Sequence, residues 1–507
     1  MKYRYSFIVI FCCVFAIALA QQSQPESLIP DRPSNAPDYF CTWNLQGYVV
    51  NYENSEVTRK TMTEEYIFGN GDYQNWINCF PTIRKDLYFV MDDSWDIPKE
   101  ANKKDLNPYL GLAELNEERF PSFHGNATER LKQFSDLVKS KGWKGAGGWI
   151  CAQKSELYPD VPEADYWMER IKAADAAGFD YWKVDWGKDS RNKEWRKMLT
   201  EIGKKYAPRL YIEHALTNEF IEFSDVFRTY DVENVMSQPI TIQRICDLLP
   251  YKANDGVKGI INCEDEPYIA VGLGCAIGVM RHPFVGTLPD GTPDIAFPEA
   301  GRNIKKRLDE VVRGVRWHRI AEPFAVDGNS FLIDSVRLHD YWILGDRETW
   351  LKSRKKGEKM TADAPARVSR GMTLPEISGL DEDRPFVLAS KYPNGAVAVA
   401  TIGRALGREY VSKEISVTVQ IEDKDVPIGL FGCFKEVTLV FSYMIDGKKQ
   451  TVYAQDLAGD VPVDITRQVV IKENRLTIPG SIIRRIGLMS ASEGDCSDPG
   501  LVIRIKN

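Results

Sequence analysis

The sequence predicts a (β/α)8 barrel followed by a C-terminal antiparallel β-sandwich domain. Eight short apolar runs alternate with helical periodicity between about residues 38 and 320. That span is close to the roughly 250 residues typical of such barrels. After residue 320 the pattern changes to short alternating strands separated by turns. We therefore expect a barrel over residues 38–320 and a β-domain over 321–507, preceded by a flexible, proline-rich lead-in over 21–37.

The predicted barrel strands are short runs rich in apolar and aromatic residues. Helical spacing recurs between them, for example in Leu131, Phe134 and Val138. A doubly wound open sheet is the competing layout, but no GxGxxG follows the first run. The eight runs are residues 39–43 (YFCTW), 86–93 (DLYFVMDD), 143–151 (WKGAGGWIC), 180–186 (DYWKVDW), 209–215 (RLYIEHA), 225–231 (DVFRTYD), 258–264 (KGIINCE) and 283–286 (PFVG).

The C-terminal prediction rests on one strong hairpin signal and several further strand patterns. Residues 386–404 (FVLASKYPNGAVAVATIGR) place Asn394 and Gly395 between two apolar runs, which is typical of a tight β-hairpin turn. Similar runs continue to the last residues. Together they indicate a β-sandwich rather than a second α/β unit.

The N-terminus has the pattern of a secretory signal peptide. Lys2 and Arg4 precede fourteen apolar residues that end at Ala18-Leu19-Ala20. This apolar stretch is too short to span a bilayer, and no later run reaches the roughly 18 residues that a membrane helix needs. We expect cleavage after Ala20 and a secreted or periplasmic protein without a membrane span.

Composition and cysteine usage exclude several classes of protein. The net charge of −7 and the lack of a long basic run argue against nucleic-acid binding. Aromatic residues make up 11% of the chain, including twelve Trp, and flat apolar rings with a polar edge suit sugar ligands as well as cores. The eight cysteines after the signal peptide contain no CxxC pair, which excludes a zinc knuckle. Export permits disulfides, but spacing does not define their pairing.

One stretch, residues 178–187 (GFDYWKVDWG), places charges inside an otherwise apolar run. In a strand, Tyr181, Lys183 and Asp185 share one face. The other face takes the residues between them, Trp182, Val184 and Trp186. Two opposite charges on a buried face are costly unless they are paired or functional. Lys183 beside Asp185 would favour the ionised carboxylate that a nucleophile requires.

Other charged residues also fall near the ends of predicted strands. In a barrel these ends meet at one rim, where catalytic side chains lie. Several carboxylates with two cations suit glycosidic bond cleavage, which needs one protonated and one ionised carboxyl group. The residues are Asp92, Asp93, Lys183, Asp185, Glu213, Arg228 and Asp231.

Each of these residues also has a purely structural interpretation. Asp93 or Asp231 could be the N-cap of the following helix. Lys183 with Asp185, or Glu213 with Arg228, could form ion pairs that only stabilise the barrel. Two histidines near strand ends, His214 and His282, could bind a metal ion, but no HxH or HExxH spacing supports this.

Five motifs in order resemble glycoside hydrolase family 27 and its clan, which includes the α-galactosidases. They are residues 91–95 (MDDSW), 181–187 (YWKVDWG), 211–218 (YIEHALTN), 227–233 (FRTYDVE) and the approach to the third strand at 118–149. The resemblance covers roughly residues 39–405, and the C-terminal β-domain is similar in kind.

The resemblance implies a retaining mechanism by double displacement. Asp185 matches the nucleophile and Asp231 the acid/base. Lys183 would bind hydroxyl groups of the sugar, and Arg228 with Glu213 would contact its 2-position. The remaining implied substrate contacts are the pair that binds the 4- and 6-hydroxyls, Asp92 and Asp93, and an aromatic wall, Trp95 and Trp43.

The chain departs from the family pattern in two loops. No cysteine follows Asp185 closely, and residues 214–220 (HALTNEF) differ where the family selects a hydroxyl or an acetamido group. Terminal α-galactose on an oligosaccharide or polysaccharide side chain is the first expectation for the substrate. An α-N-acetylgalactosaminide or a β-L-arabinopyranoside is the alternative. A non-catalytic carbohydrate-binding barrel and a metal-dependent lyase or hydrolase also stay open. The motifs imply no cofactor, and oligomeric state is not predicted.

Overall fold

The computed structural model describes residues 26–46, 59–71, 74–99, 101, 108–229, 236–284, 286–287, 293–294, 304–327, 330–345, 355–379, 381–447 and 449–506. The predicted signal peptide and the proposed acid/base, Asp231, lie outside the described residues. Within the described ranges, no helix has the length and apolar character needed to cross a membrane.

The first half of the chain forms a closed barrel of eight parallel strands in sequence order, which confirms the predicted fold. The apolar runs lie at its centre because parallel strands covered by helices are buried on both faces. The strands are β1 (Tyr39–Cys41), β2 (Tyr88–Met91), β3 (Gly145–Ile150), β4 (Tyr181–Val184), β5 (Tyr211–His214), β6 (Val226–Arg228), β7 (Ile260–Glu264) and β8 (Ala276–Val279).

The predicted eighth strand at residues 283–286 is wrong. The barrel closes through β8, whose Ala276 pairs with Asn262 and whose Gly278 pairs with Tyr39. Residues 268–280 form one apolar run, and periodicity does not show where a buried helix ends and a buried strand begins within it. The division comes at Gly274, whose φ of +64° reverses the chain in a conformation that glycine adopts readily.

Helices surround the barrel and are positioned by local capping signals. Asn126 and Glu129 form a reciprocal capping box at the start of the helix that follows β2, and Asn192 caps the helix that follows β4. The described helices of this region are α1 (Glu64–Phe68), α2 (Ala127–Ser140), α3 (Glu163–Ala176), α4 (Lys193–Tyr206), α5 (Ser237–Leu248), α6 (Pro267–Gly272) and α7 (Leu308–Trp317).

A layer of tyrosines fills the barrel below its C-terminal mouth. The rings of Tyr39, Tyr88, Tyr181 and Tyr211 lie 5.1 to 6.0 Å apart by their centroids. Such a layer makes the barrel interior a packed core rather than a pore. It also provides a rigid floor for the polar side chains above it.

In its described residues, the C-terminal half consists of β-sheets with one α-helix, α8 (Gly480–Gly487). After the short strands β9 (Gly286–Thr287) and β10 (Pro293–Asp294), its strands are β11 (Phe331–Ile333), β12 (Arg337–Ile343), β13 (Lys359–Pro365), β14 (Arg367–Arg370), β15 (Glu376–Ser378), β16 (Phe386–Lys391), β17 (Val397–Ile402), β18 (Arg404–Gly407), β19 (Glu409–Val411), β20 (Ile415–Ile421), β21 (Ile428–Phe431), β22 (Phe434–Phe441), β23 (Thr451–Asp456), β24 (Val463–Asp464), β25 (Val470–Lys472), β26 (Arg475–Pro479) and β27 (Gly500–Lys506).

Two of these sheets form the predicted sandwich. The sheet β11-β14-β16-β17-β21-β27-β23-β24 and the sheet β15-β20-β22-β26-β25 share one core, with Val399 and Leu430 on one side and Val417 and Leu439 on the other. The pairing is mixed rather than purely antiparallel, because non-consecutive strands such as β17 and β21 pair in parallel. The predicted hairpin at Asn394 is confirmed as β16 and β17.

The sandwich packs directly on the barrel. Its large sheet contributes residues such as Leu388 and Ala400 to the same core cluster as the barrel helices. A fully buried ion pair crosses the contact, with Arg313 Nε of α7 2.9 Å from Asp456 Oδ1 of β23. The eight cysteines of the described chain are free thiols, and seven of them are buried.

Candidate active site

The alternation predicted for residues 181–186 is confirmed for the part that forms strand β4. Tyr181 belongs to the apolar cluster inside the barrel, whereas Trp182 and Val184 belong to the core outside it. Lys183 pairs in register with Trp149 of β3 and Glu213 of β5. Lys183 therefore faces the barrel axis, and Asp185 follows at the end of the strand where the C-terminal mouth opens.

Asp185 has both carboxylate oxygens held by protein groups. Its Oδ1 lies 3.1 Å from Nη2 of Arg228, and its Oδ2 accepts a hydrogen bond of 2.9 Å from the indole nitrogen of Trp149. Its backbone carbonyl accepts a hydrogen bond from Arg196, whose own guanidinium is fully buried. Both the backbone and the side chain of Asp185 are thus fixed in one position.

These contacts keep Asp185 ionised although it is buried. Burial alone would raise the pKa of this carboxyl group, but Arg228, Lys183 and the hydrogen bond from Trp149 together lower it below its ordinary value. The charge of Lys183 acts as the sequence predicts, but Arg228 contributes more because it contacts the carboxylate directly.

Lys183 forms its ion pairs with Asp92 and Glu264, not with Asp185. Its ammonium lies 2.8 Å from Asp92 Oδ2 and 3.5 Å from Glu264 Oε1. Side chains two residues apart on a strand lie side by side, whereas neighbouring strands bring other side chains closer. The structural ion pair between Lys183 and Asp185 considered above is therefore absent. Cys41 also donates to Asp92 Oδ2, at 2.7 Å.

Arg228 lies between three carboxylates. Besides Asp185, it is 3.2 Å from Glu213 Oε1 and 3.5 Å from Glu264 Oε1. Its planar group can address several acceptors at once, which the single ammonium of lysine cannot do. The interpretation of Glu213 and Arg228 as a pair is confirmed, but the pair belongs to a larger cluster.

Glu213 is held in a position where its charge is unfavourable. Burial, reinforced by the charge of Glu264, raises its pKa to about 7, although Arg228 and a hydrogen bond of 2.6 Å from Tyr181 act in the opposite direction. Glu213 therefore exchanges its proton near neutral pH, while Asp185 stays ionised.

Glu264 is the site residue that the sequence analysis missed. It ends β7 and faces inward together with Asn262, and its Oε1 is shared by Lys183, Arg228 and the hydroxyl of Tyr39 at 3.3 Å. The rule that barrel sites lie at strand ends would have identified it, because residues 258–264 were correctly predicted as a strand that ends in this acid.

We predict that Glu264→Gln reduces the pH dependence of stability. The raised pKa of Glu213 means that its contribution to stability is complete below the ordinary value of 4.5 and is lost as the pH rises through about 7. Removing the charge of Glu264 lowers the pKa of Glu213, so less stability is lost. Thermal melts between pH 5 and 8 should show a smaller decline in Tm for Glu264→Gln than for the wild type.

The control for this melt series is Glu201→Gln, which changes an exposed glutamate on α4. It should reproduce the wild-type decline in Tm. An equal or steeper decline in Glu264→Gln would show that the charge of Glu264 does not act on Glu213.

The second acid of the predicted pair, Asp93, is engaged by protein groups on both oxygens. Ser94 donates to its Oδ1 at 2.9 Å, and Arg59 lies 3.0 Å from its Oδ2. It does not cap a helix. Ser94 and Asp265, which follow β2 and β7, both have positive φ angles, +91° and +57°, and such angles are uncommon for residues other than glycine. Such backbone strain tends to occur at functional sites, and here both residues border the barrel mouth.

The two predicted wall residues occupy different environments. Trp43 is half-buried and packs on the tyrosine cluster inside the barrel. Trp95 lies in the core outside the barrel, where its indole donates to the carbonyl of Trp149 and a Cβ on Gly148 would lie 2.9 Å from its ring. Because Trp95 supports β3 from outside, its predicted place in an aromatic wall does not fit the structure.

His214 faces away from the site. Its ring nitrogens lie 3.2 Å from Arg196 and 2.8 Å from the hydroxyl of Thr200 on α4. Burial and the charge of Arg196 hold its pKa well below the ordinary value, so it is a neutral core residue. The other histidine considered as a ligand, His282, is also buried with a pKa well below the ordinary value. In the described part of the chain, no group of three or more His, Cys, Asp or Glu is arranged to hold a metal ion.

Carboxylates outnumber cations in this cluster. Within the described residues, Lys183 and Arg228 face four acids. The acids exceed the cations even when Glu213 is protonated, and such an excess of negative charge stabilises positive charge that develops on a bound molecule. Asp185 is part of this negative cluster, and its ionised carboxylate lies at the open end of the barrel. The four acids are Asp92, Asp185, Glu213 and Glu264.

Comparison with solved structures gives distant likenesses. No family model and no curated protein matches the chain. It is similar to the structure of α-galactosidase I from Mortierella vinacea, at 11% identity over 92% of this chain and 96% of that one, with a TM-score of 0.39. A glycoside hydrolase family 27 β-L-arabinopyranosidase from Geobacillus stearothermophilus matches at 9% identity over 93% and 97%, with a TM-score of 0.39.

An α-amylase from Geobacillus thermoleovorans matches at a similar level, at 6% identity over 94% of this chain and 100% of that one, with a TM-score of 0.40. The strand order of this chain establishes the barrel.

Proposed function

We propose that this protein is an exported retaining exo-glycosidase that hydrolyses terminal α-galactosides, with Asp185 as nucleophile and Asp231 as acid/base. The order of the strand-end motifs supports the family, and the environment of Asp185 supports the chemistry. Export rests on the predicted signal peptide.

The observation that carries the proposal is the state of Asp185. It is a buried carboxylate at the end of a barrel strand, held ionised by Arg228 and oriented by Trp149. A carboxylate that serves only to stabilise the barrel needs no such placement at the mouth. A nucleophile needs both ionisation and a fixed direction of attack.

The first step forms a glycosyl-enzyme. An oxygen of Asp185 bonds to the anomeric carbon while the bond from that carbon to the leaving oxygen breaks, and Asp231 gives its proton to that oxygen. In the second step a water molecule loses a proton to Asp231 and attacks the same carbon, which releases Asp185. Two displacements retain the configuration of the sugar.

The surrounding charges serve this sequence of steps. The sugar ring carries positive charge in both transition states, and the excess of carboxylates around Lys183 and Arg228 stabilises it. Lys183 and Asp92 form a buried donor and acceptor pair that suits vicinal hydroxyl groups. Arg228 and Glu213 offer a second donor and acceptor pair on the neighbouring strands β5 and β6.

One observation favours a β-L-arabinopyranoside as the second candidate substrate. Asp93, one of the two acids expected to bind the 4- and 6-hydroxyls, already has both oxygens bonded to Ser94 and Arg59. β-L-Arabinopyranose has the ring configuration of α-galactose without the 6-hydroxymethyl group, so it requires one polar contact fewer.

The proposal is tested with the purified protein and three aryl glycosides: α-galactoside, α-N-acetylgalactosaminide and β-L-arabinopyranoside. We expect turnover of the α-galactoside, and proton NMR should show the α-anomer as the first product. First appearance of the β-anomer would exclude retention, and turnover of none of the three would contradict the proposed activity.

A further inference from the structure

We propose that Trp186, supported by Trp149, forms a binding subsite for the leaving-group sugar of the substrate, next to the nucleophile. This inference rests on the proposed function and identifies a substrate with a second sugar ring. No motif described above assigns a role to Trp186.

The position of Trp186 breaks the alternation of β4. Continued alternation would direct it outward with Trp182 and Val184, as the sequence predicts. Instead its ring centroid lies 5.4 Å from that of Trp149, at an interplanar angle of 56°. Because Trp149 is in register with Lys183 on the axis side of the barrel, the ring of Trp186 lies at the mouth.

The backbone explains this change of direction. Gly187 has a φ of +149°, and a Cβ there would lie 2.5 Å from the carbonyl oxygen of Ala152, so only glycine permits the approach. The carbonyl of Trp186 accepts hydrogen bonds from Ala152 N at 2.8 Å and from the thiol of Cys151 at 3.3 Å. Trp186 is thus fixed against the loop that follows β3.

The two indoles differ in exposure in the way that a subsite requires. Trp149 is 1% exposed and donates to Asp185, whereas Trp186 is 37% exposed, and no other tryptophan of the described chain reaches this value. Trp186 packs on Trp149, which donates a hydrogen bond to the nucleophile, Asp185. The exposed ring of Trp186 therefore offers a flat aromatic surface beside the scissile bond. Tryptophan faces bind the C–H faces of sugar rings at little cost in conformational entropy.

The alternative is that Trp186 only covers Trp149. If Trp186 only shields Trp149 from solvent, its removal would lower stability and would change kcat/KM by the same factor for every substrate. The two interpretations differ in their dependence on the leaving group, which gives the test.

The experiment compares two donors that carry the same glycosyl group. A disaccharide has a leaving sugar, whereas a glycosyl fluoride has a leaving group too small to reach Trp186. We expect Trp186→Ala to lower kcat/KM for the disaccharide about tenfold, the effect of one aromatic contact. Its kcat/KM for the fluoride should stay within about twofold, because no part of the bound fluoride reaches the indole of Trp186.

Two further variants complete the comparison. Trp186→Phe, which keeps a flat ring, should recover most of the disaccharide activity. Leu157→Ala removes another exposed apolar side chain, 49% exposed, on the loop after β3, and should change neither donor's kcat/KM. An equal loss with both donors, or no loss with the disaccharide, would overturn the subsite.

Failure of the proposed function gives a different result. In that case the wild type hydrolyses neither donor. The kinetics are then replaced by calorimetric titrations, in which the disaccharide and the monosaccharide are each titrated into the wild type and into Trp186→Ala. The subsite predicts that Trp186→Ala binds the disaccharide more weakly than the wild type does, and that both proteins bind the monosaccharide equally. Equal affinities of wild type and variant for both sugars would exclude it.

Discussion

Asp185→Asn is expected to lower kcat/KM for the aryl glycoside by about 10⁴-fold or more, which is typical for loss of a nucleophile. The amide keeps the shape and the hydrogen bond from Trp149 but has no negative charge with which to attack. Arg228 retains Glu213 and Glu264 as partners, so no cation is left unpaired. We therefore expect the variant to fold, with a Tm lowered by the loss of the ion pair between Asp185 and Arg228.

The control for this variant is Asp160→Asn, which changes an exposed carboxylate on the neighbouring loop after β3 and should be fully active. A smaller variant, Asp185→Gly, adds a positive test: azide should restore turnover of an activated substrate and yield a glycosyl azide of inverted configuration. Turnover of Asp185→Asn at the wild-type rate would exclude the mechanism.

The barrel was predictable because its signals are local and repeated. Each strand is a short apolar run, and alternation within residues 181–184 correctly places Lys183 on the axis side. The sequence also locates most of the charged cluster, since parallel strands bring their ends together whatever the details of packing. The one misplaced strand, β8, lies in an apolar run where helix and strand share the same composition.

The partners of each charge were not predictable in the same way. Lys183 pairs with Asp92, which is 91 residues away, because neighbouring strands approach more closely than successive residues on one face. The shared position of Glu264 depends on the closure of the barrel between β7 and its neighbours. The orientation of Trp186 depends on one glycine and the loop beside it. These are properties of register and close approach, which no pattern along the chain records.

Arg228 is the second residue whose substitution we expect to reduce activity strongly, because its planar guanidinium contacts three carboxylates. Arg228→Lys keeps one positive charge but replaces a planar group by a single ammonium on a shorter reach. It can no longer contact Asp185, Glu213 and Glu264 together. We expect kcat/KM to fall about 10²- to 10³-fold, comparable to the loss of one charged transition-state contact.

The pH profile separates this effect from simple loss of structure. Arg228 is the main group that lowers the pKa of Asp185, so Asp185 stays ionised even somewhat below its ordinary pKa of 3.8. Without direct contact this pKa rises, and the acid limb of kcat/KM should move to higher pH. The stability that the ionised Asp185 contributes is present above the unfolded pKa and lost as the pH falls through the folded one. In Arg228→Lys the folded pKa lies closer to the unfolded one, so that loss should be smaller and should be complete at higher pH.

Arg209→Lys, the same substitution at an exposed arginine, should leave both activity and its pH dependence unchanged. If Arg228→Lys lowers activity equally at every pH, Arg228 only orients the substrate, and the ionisation of Asp185 depends on Lys183 and Trp149. If the acid limb moves upward as expected, one guanidinium both binds the sugar and keeps its nucleophile charged. Asp185 and Arg228 then have to be treated as one catalytic unit, because the effects of removing either would not be additive.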